Sequence, residues 1–186
     1  MIKNIRQPLI WIDCEMTGLD IRTDRIIEIA TLITDSELNI IAEGPELAIH
    51  RPKELLDTMD DWNTKHHTAS GLVDRVLASE IEIEDADRMT FEFISQYCEP
   101  HLAPLCGNSV WQDRRYIDLE MPLTAHHLHY RNVDVSSFKE MVRRWYPKLE
   151  SYKKENHHRA LDDIRESIEE LKYYRRMVFR EEIAEV

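Results

Sequence analysis

Residues 11–20, WIDCEMTGLD, preceded by Leu9 and Ile10, decide how the chain begins to fold. The apolar run reads as a buried strand, yet it ends in two acids, Asp13 and Glu15, separated by one residue. Side chains of a strand alternate between faces, so this spacing puts both carboxylates on one face and Cys14 on the other, toward the core. Two carboxylates side by side raise each other's pKa unless a cation or a hydrogen-bond donor compensates. Thr17-Gly18 then marks a turn. Outward from it, residues 26–33 form a second apolar, β-branched run, and residues 38–49 a third, interrupted near Gly44-Pro45. Together these predict a meander of antiparallel strands.

After residue 50 the period changes. Leu55, Leu56 and Met59, following Pro52, stand at helical spacing, as do Met89, Phe93, Ile94 and Tyr97 within 85–97. Residues 102–106 suit a short strand ended by Gly107-Asn108. Helical character resumes near Trp111, near Ser136, and from about His158, where Leu161, Ile164, Ile168 and Leu171 make a stripe to be buried. Strands first, then helices alternating with one or two more strands, predict an α/β fold with a mixed sheet flanked by helices. The 186 residues, 1–186, fit one domain.

The composition, 42% hydrophobic and 32% charged, is that of a soluble globular protein. No apolar run approaches the roughly 20 residues needed to cross a bilayer, and MIKNIRQPLIWID has no signal-peptide core. Cys14, Cys98 and Cys106 form no C-x-x-C pair, which argues for a reducing compartment. The expectation is a cytoplasmic protein without membrane contact. Nine histidines, among them the doublets 66–67, 126–127 and 157–158, fall in no recognised zinc pattern. A net charge of -12 argues against a protein that coats long nucleic acid. It is compatible with gripping a short polyanion through metal ions and a few local donors. Residues 139–154 run against the trend, with Lys139, Arg143, Arg144, Lys148, Lys153 and Lys154 facing only Glu140 and Glu150. A solvated helix face and a phosphate-facing patch are equal readings of that stretch.

Further acids lie far along the chain: Asp113 in GNSVWQDRR, and Asp162-Asp163 in HHRALDD. Acids at strand ends and helix starts can converge over one sheet edge. Several carboxylates in one pocket call for divalent cations, and Mg²⁺ binds between carboxylates and substrate phosphate. Two ions about 4 Å apart stabilise the attacking and leaving oxygens of a phosphoryl displacement, and a nearby histidine can deprotonate the water. Helical spacing alone pairs His158 with Asp162, four residues on. Chemistry alone leaves His157 and His158 equal.

Three motifs in order, DCEMTGLD, NSVWQD and HRALDD, resemble those of the DEDDh exonucleases. The resemblance covers most of the chain and is nearest to the oligoribonucleases, whose characteristic stretches are similar to MDDWNTKHHTASGL, GNSVWQDRRYID and YRNVDVSSFKEMVRRW here. It implies a ribonuclease H-like fold and a 3′→5′ exoribonuclease that degrades short oligoribonucleotides, especially dinucleotides, to 5′ mononucleotides. Asp13, Glu15, Asp113 and Asp163 would ligate two Mg²⁺ or Mn²⁺ ions, and His158 would be the general base. The family register thus selects Asp163 over Asp162 and His158 over His157. Leu19 and Trp62 would bracket the bases, stacking being worth about 1–3 kcal/mol per base, and His67 would contact substrate. The family resemblance also implies a homodimer in which the segment bearing Tyr130 and Arg131 reaches the partner's active site, Tyr130 counting with His158 as catalytic. Arg131 and Ser136 would cap the 5′ phosphate, with Ser109 and Gln112 assisting from the other chain. Such a cap measures length. The rival enzyme is a proofreading or ribonuclease T-like DEDDh exonuclease acting on longer DNA or RNA 3′ ends, which would lack YRNVDVSS in this form. A non-catalytic binding protein on this fold would have lost an acid or the histidine, and all five are present.

Overall fold

The computed structural model describes residues 5–153 and 159–179. The three predicted strands are β1 (Leu9–Met16), β2 (Ile26–Thr34) and β3 (Ile40–Ala48), paired antiparallel in sequence order. The two acids of the opening motif therefore lie within the strand and not beyond it. The expected break at Gly44-Pro45 is a bulge: Ala30 pairs with Glu46 and Leu32 with Glu43, so β3 carries one extra residue. Proline is tolerated there because β3 is an edge strand.

Two short strands complete the sheet. β4 (Leu105–Gly107) runs parallel to β1, and β5 (Asn132–Asp134) parallel to β4, giving the order β3-β2-β1-β4-β5. The polar run containing β5 has no strand signature of its own; its three residues are extended because β4 offers them an edge.

The helices are α1 (Lys53–Leu56), α2 (Asp61–Ala69), α3 (Leu72–Ala78), α4 (Ile83–Tyr97), α5 (Trp111–Glu120), α6 (Pro122–His127), α7 (Val135–Trp145) and α8 (Ala160–Val178). Neither α2 nor α3 follows from apolar periodicity. α2 reads DWNTKHHTA, with no apolar stripe, and starts because the Asp60 carboxylate accepts the Asn63 N–H at 2.8 Å. α3 follows Gly71, which takes a left-handed φ of 73°.

Alternation along β1 divides the core. Ile10, Ile12 and Cys14 join Ile94 of α4 and Tyr116 and Ile117 of α5 on one face, as expected for Cys14. Trp11 joins Val142 of α7 and Ala160, Ile164, Ile168 and Leu171 of α8 on the other. Asp13 and Glu15 share the face of Trp11, so β1 aims them at the helix whose first turn carries Asp162 and Asp163. Among the described residues no helix is long and apolar enough to cross a membrane.

Candidate active site

Asp13, Glu15 and Asp163 each offer a carboxylate oxygen, and these atoms lie within 4.8 Å of one another. They line a cleft of about 460 Å³ together with Leu19, Asn108, Ser109, Gln112 and Asp113. Asp113, in the first turn of α5, is buried, and its Oδ1 accepts the Cys14 backbone N–H at 2.9 Å. The second motif is thereby tied to the strand of the first. Asp162 is not among the three clustered acids; it is half-buried, 3.8 Å from Arg165. The helix starts at Ala160, after Arg159 in an extended conformation. His157 and His158 themselves lie outside the described residues.

The electrostatics are those of a site short of positive charge. Burial, then the Asp163, Glu28 and Asp113 carboxylates, push Glu15 from 4.5 up to about 8. Burial lifts Asp113 to about 7, against the downward pull of the Cys14 N–H. Burial and the surrounding acids also raise the Cys14 thiol, which stays protonated. Glu28, missed in the sequence, stands opposite Glu15 in the β1–β2 register and pairs with Arg75 of α3 at 2.6 Å. Its signal was available: it is the lone charge in IIEIATLIT.

The turn after β1 presents Leu19, 64% exposed, at the cleft rim. Thr17 Oγ1 and the Asp20 N–H both donate to the Asp24 carboxylate, at 2.9 and 2.8 Å. A Cβ at Gly18 would stand 2.5 Å from Asp24 Oδ2, so a larger residue there must displace that carboxylate. Tyr116 donates its hydroxyl to the Gly18 carbonyl at 2.9 Å, so α5 fixes both Asp113 and the Leu19 turn. On the far side of Leu19 a second hollow, about 530 Å³, reaches Asp60 at the start of α2. Trp62 follows, 60% exposed and stacked on His66 at 3.9 Å.

His67 is buried in the protomer, with Nε2 3.1 Å from the Met16 carbonyl and Nδ1 4.0 Å from Glu15 Oε2. Burial lowers its pKa, so it holds the end of β1 as a neutral donor. Ser109 and Ser136, expected to come from different subunits, are partners within one chain. Their hydroxyls are 3.2 Å apart, and Ser136 Oγ accepts the Ser109 N–H at 2.9 Å. Parallel pairing of β4 with β5 places the two strand ends side by side. Gln112 lines the cleft and accepts from Arg115 at 2.7 Å. Tyr130, 74% exposed, stacks on His129 at 4.4 Å with the Arg131 guanidinium over its ring, and neither Tyr130 nor Arg131 lines the cleft in one protomer. The basic stretch on α7 is partly neutralised: Arg143 and Arg144 both meet Glu140, and Lys139 lies 3.6 Å from Glu170. Lys154 lies outside the described residues.

The sheet, with acids on its central strand facing the first turn of the last helix, is the ribonuclease H-like architecture of exonucleases, and residues 10–171 match the family model described as Exonuclease. The oligoribonuclease of Shewanella loihica is 55% identical over 173 residues, 92% of this chain and 96% of that protein. That of Alcanivorax borkumensis is 57% identical over 171 residues, 91% of this chain and 94% of its own. The chain belongs to the oligoribonuclease family. Exonuclease I of Methylocaldum szegediense superposes with a TM-score of 0.69 at 18% identity, covering 92% of this chain and 41% of that one. E. coli exonuclease I in complex with a dT13 oligonucleotide gives 0.72 at 14% identity, covering 91% and 41%. This chain thus spans about two fifths of those enzymes, and the likeness is one of fold.

Proposed function

We propose that this protein is a cytoplasmic 3′→5′ exoribonuclease, one exonuclease domain per subunit of a homodimer, that degrades short oligoribonucleotides, dinucleotides above all, to 5′ mononucleotides. The observation that carries this reading is the meeting of Asp13, Glu15 and Asp163 in the cleft that Asp113 also lines. An all-oxygen donor set suits Mg²⁺ or Mn²⁺, and the raised pKa of Glu15 reflects a cluster that a cation would relieve. When bound, two such ions supply charge stabilisation for the attacking and leaving oxygens.

The chain's own groups position and protonate. Asp113 is anchored on the Cys14 N–H, and His67 steadies the strand end behind Glu15. His158 takes the proton of the attacking water; the water oxygen bonds to phosphorus as the bond to the preceding 3′ oxygen breaks, that oxygen leaving with the electron pair and taking up a proton from solvent, so that the released nucleotide carries a 5′ phosphate. Leu19 and Trp62, large apolar groups left exposed, bracket the bases. Ser109 and Ser136 of one subunit, with Gln112 and Arg131, take the 5′ phosphate. Tyr130 and Arg131 act across the dimer interface, a role that the exposure of Tyr130 supports. The -12 charge agrees with a short substrate held by local donors.

The test is a length series of 5′-phosphorylated RNAs, from two to about ten nucleotides, with Mg²⁺, Mn²⁺ or EDTA. A steep preference for the dinucleotide is expected. Equal rates across lengths would remove the length-measuring cap, and activity surviving EDTA would remove the metal requirement.

A further inference from the structure

Behind the half-buried Asn108 at the cleft wall lie two buried polar side chains, Ser167 and Glu170, to which the proposed chemistry gives no role. Asn108 follows β4; Ser167 and Glu170 sit on the inward face of α8, where the apolar stripe would otherwise continue. Buried polar groups persist where they are mutually satisfied, and a satisfied network specifies one arrangement of the elements it joins. Asn108 is the junction. Its amide donates to Ser167 Oγ at 2.8 Å and to Glu170 Oε2 at 3.2 Å, and its Oδ1 accepts from Ser136 Oγ at 3.1 Å. Ser167 donates on to the Asp163 carbonyl at 2.8 Å. Glu170, fully buried, accepts the Tyr174 hydroxyl at 2.9 Å, with Lys139 of α7 at 3.6 Å.

We infer that Asn108 is a positioning residue: it locks the Ser109–Ser136 hydroxyl pair to the helix that carries Asp163, so that the 5′-phosphate cap and the acid cluster keep a fixed separation. This rests on the proposed role of Ser109 and Ser136 in the cap. Both ends of the lock are anchored. On one side, Ser109 takes a left-handed φ of 51°, unusual for a non-glycine residue, and its N–H is held by Asp134 Oδ1 at 3.0 Å and by Ser136 Oγ. On the other, the chain Asn108–Ser167–Asp163 crosses one turn of α8. The polarity of the Asn108 amide follows from its partners: Ser167 spends its proton on the Asp163 carbonyl, so its Oγ accepts from the Asn108 amide N–H and leaves Oδ1 to face Ser136. An amide is the group that donates to one side and accepts from the other.

The same polarity supplies the test. Asn108→Asp keeps the shape but sets a second acceptor against Glu170, and Glu170→Gln in the same chain restores a donor across that contact. With 5′-phosphorylated and 5′-hydroxyl dinucleotides as substrates, Asn108→Asp should raise KM for the phosphorylated one about tenfold. KM for the hydroxyl form should move less than twofold, and kcat on either less than threefold. The double variant should recover most of the lost phosphate preference. If Asn108→Asp does not fold, Asn108→Ala, which adds no charge, is held to the same KM split. Equal loss on both substrates, or no recovery in the double variant, would overturn the inference and mark the network as structural support only. A wild-type enzyme indifferent to the 5′ phosphate would remove the cap reading and this inference with it. A wild-type preference left intact by the substitution removes this inference alone.

Discussion

Glu15→Gln separates the electrostatics of the metal-free cleft from its packing. With its pKa raised from 4.5 to about 8, Glu15 keeps in the folded chain a proton that the unfolded chain loses. The folded state therefore binds more protons across that window, and stability falls as pH rises through it, by about 1.4 kcal/mol per pH unit from this residue. Between pH 6 and pH 8 the loss is about 2 kcal/mol, or roughly 4–8 °C in Tm for a chain of this size. Asp113, raised to about 7, adds a loss of the same sign below that value. Glutamine has no proton to lose, so the variant in EDTA should show a shallower pH dependence and should melt above the wild type at pH 8. The order should reverse with metal: saturating Mn²⁺ at about 100 times Kd stabilises the wild type by about 2.7 kcal/mol and the variant far less. Thermal melts at pH 6, 7 and 8, with EDTA or Mn²⁺, measure all of this. A wild-type Tm in EDTA that holds level from pH 6 to pH 8, or a variant that melts below it at pH 8, would refute the reasoning.

Asp163→Asn should abolish metal-dependent hydrolysis of a dinucleotide while Asp162→Asn keeps most of it, because only Asp163 shares the cluster with Asp13 and Glu15; the reverse pattern in a rate assay would overturn the register. Trp62→Ala should weaken dinucleotide binding by about 1–3 kcal/mol, seen by calorimetry with Ca²⁺ in place of the reactive metal. Its Tm should barely move, since the ring is 60% exposed. Gly18→Ala forces a Cβ against Asp24, and the overpacking should cost about 1–3 kcal/mol in urea unfolding together with a higher KM. Arg75→Met leaves the buried Glu28 without its partner; a fully buried pair would lose about 3–5 kcal/mol, and the partial exposure of Arg75 should bring this nearer 2.

The residues that carry local chemistry were legible from the sequence alone. A strand's period of two puts Asp13 and Glu15 on one face and Cys14 on the other, whatever the rest of the chain does. The apolar spacing of the last helix marks Ile164, Ile168 and Leu171 for burial, and the motif order declares the family. The choice between Asp162 and Asp163 is not local. It depends on where α8 begins and how far it is rotated against β1, and packing of Ile164 and Ile168 beneath Trp11 sets that rotation. Nor could spacing put Ser136 beside Ser109, which takes a parallel pairing of β4 with β5, and β5 is too short and polar to announce itself. The family resemblance around Trp62 points to His67 as a substrate contact, whereas its burial beneath the end of β1 is a tertiary fact. Sequence specifies which groups can repel, donate or accept through the covalent chain and its short-range periods. Which of them meet depends on how two cores close over the two faces of β1, and that is a property of the folded chain alone.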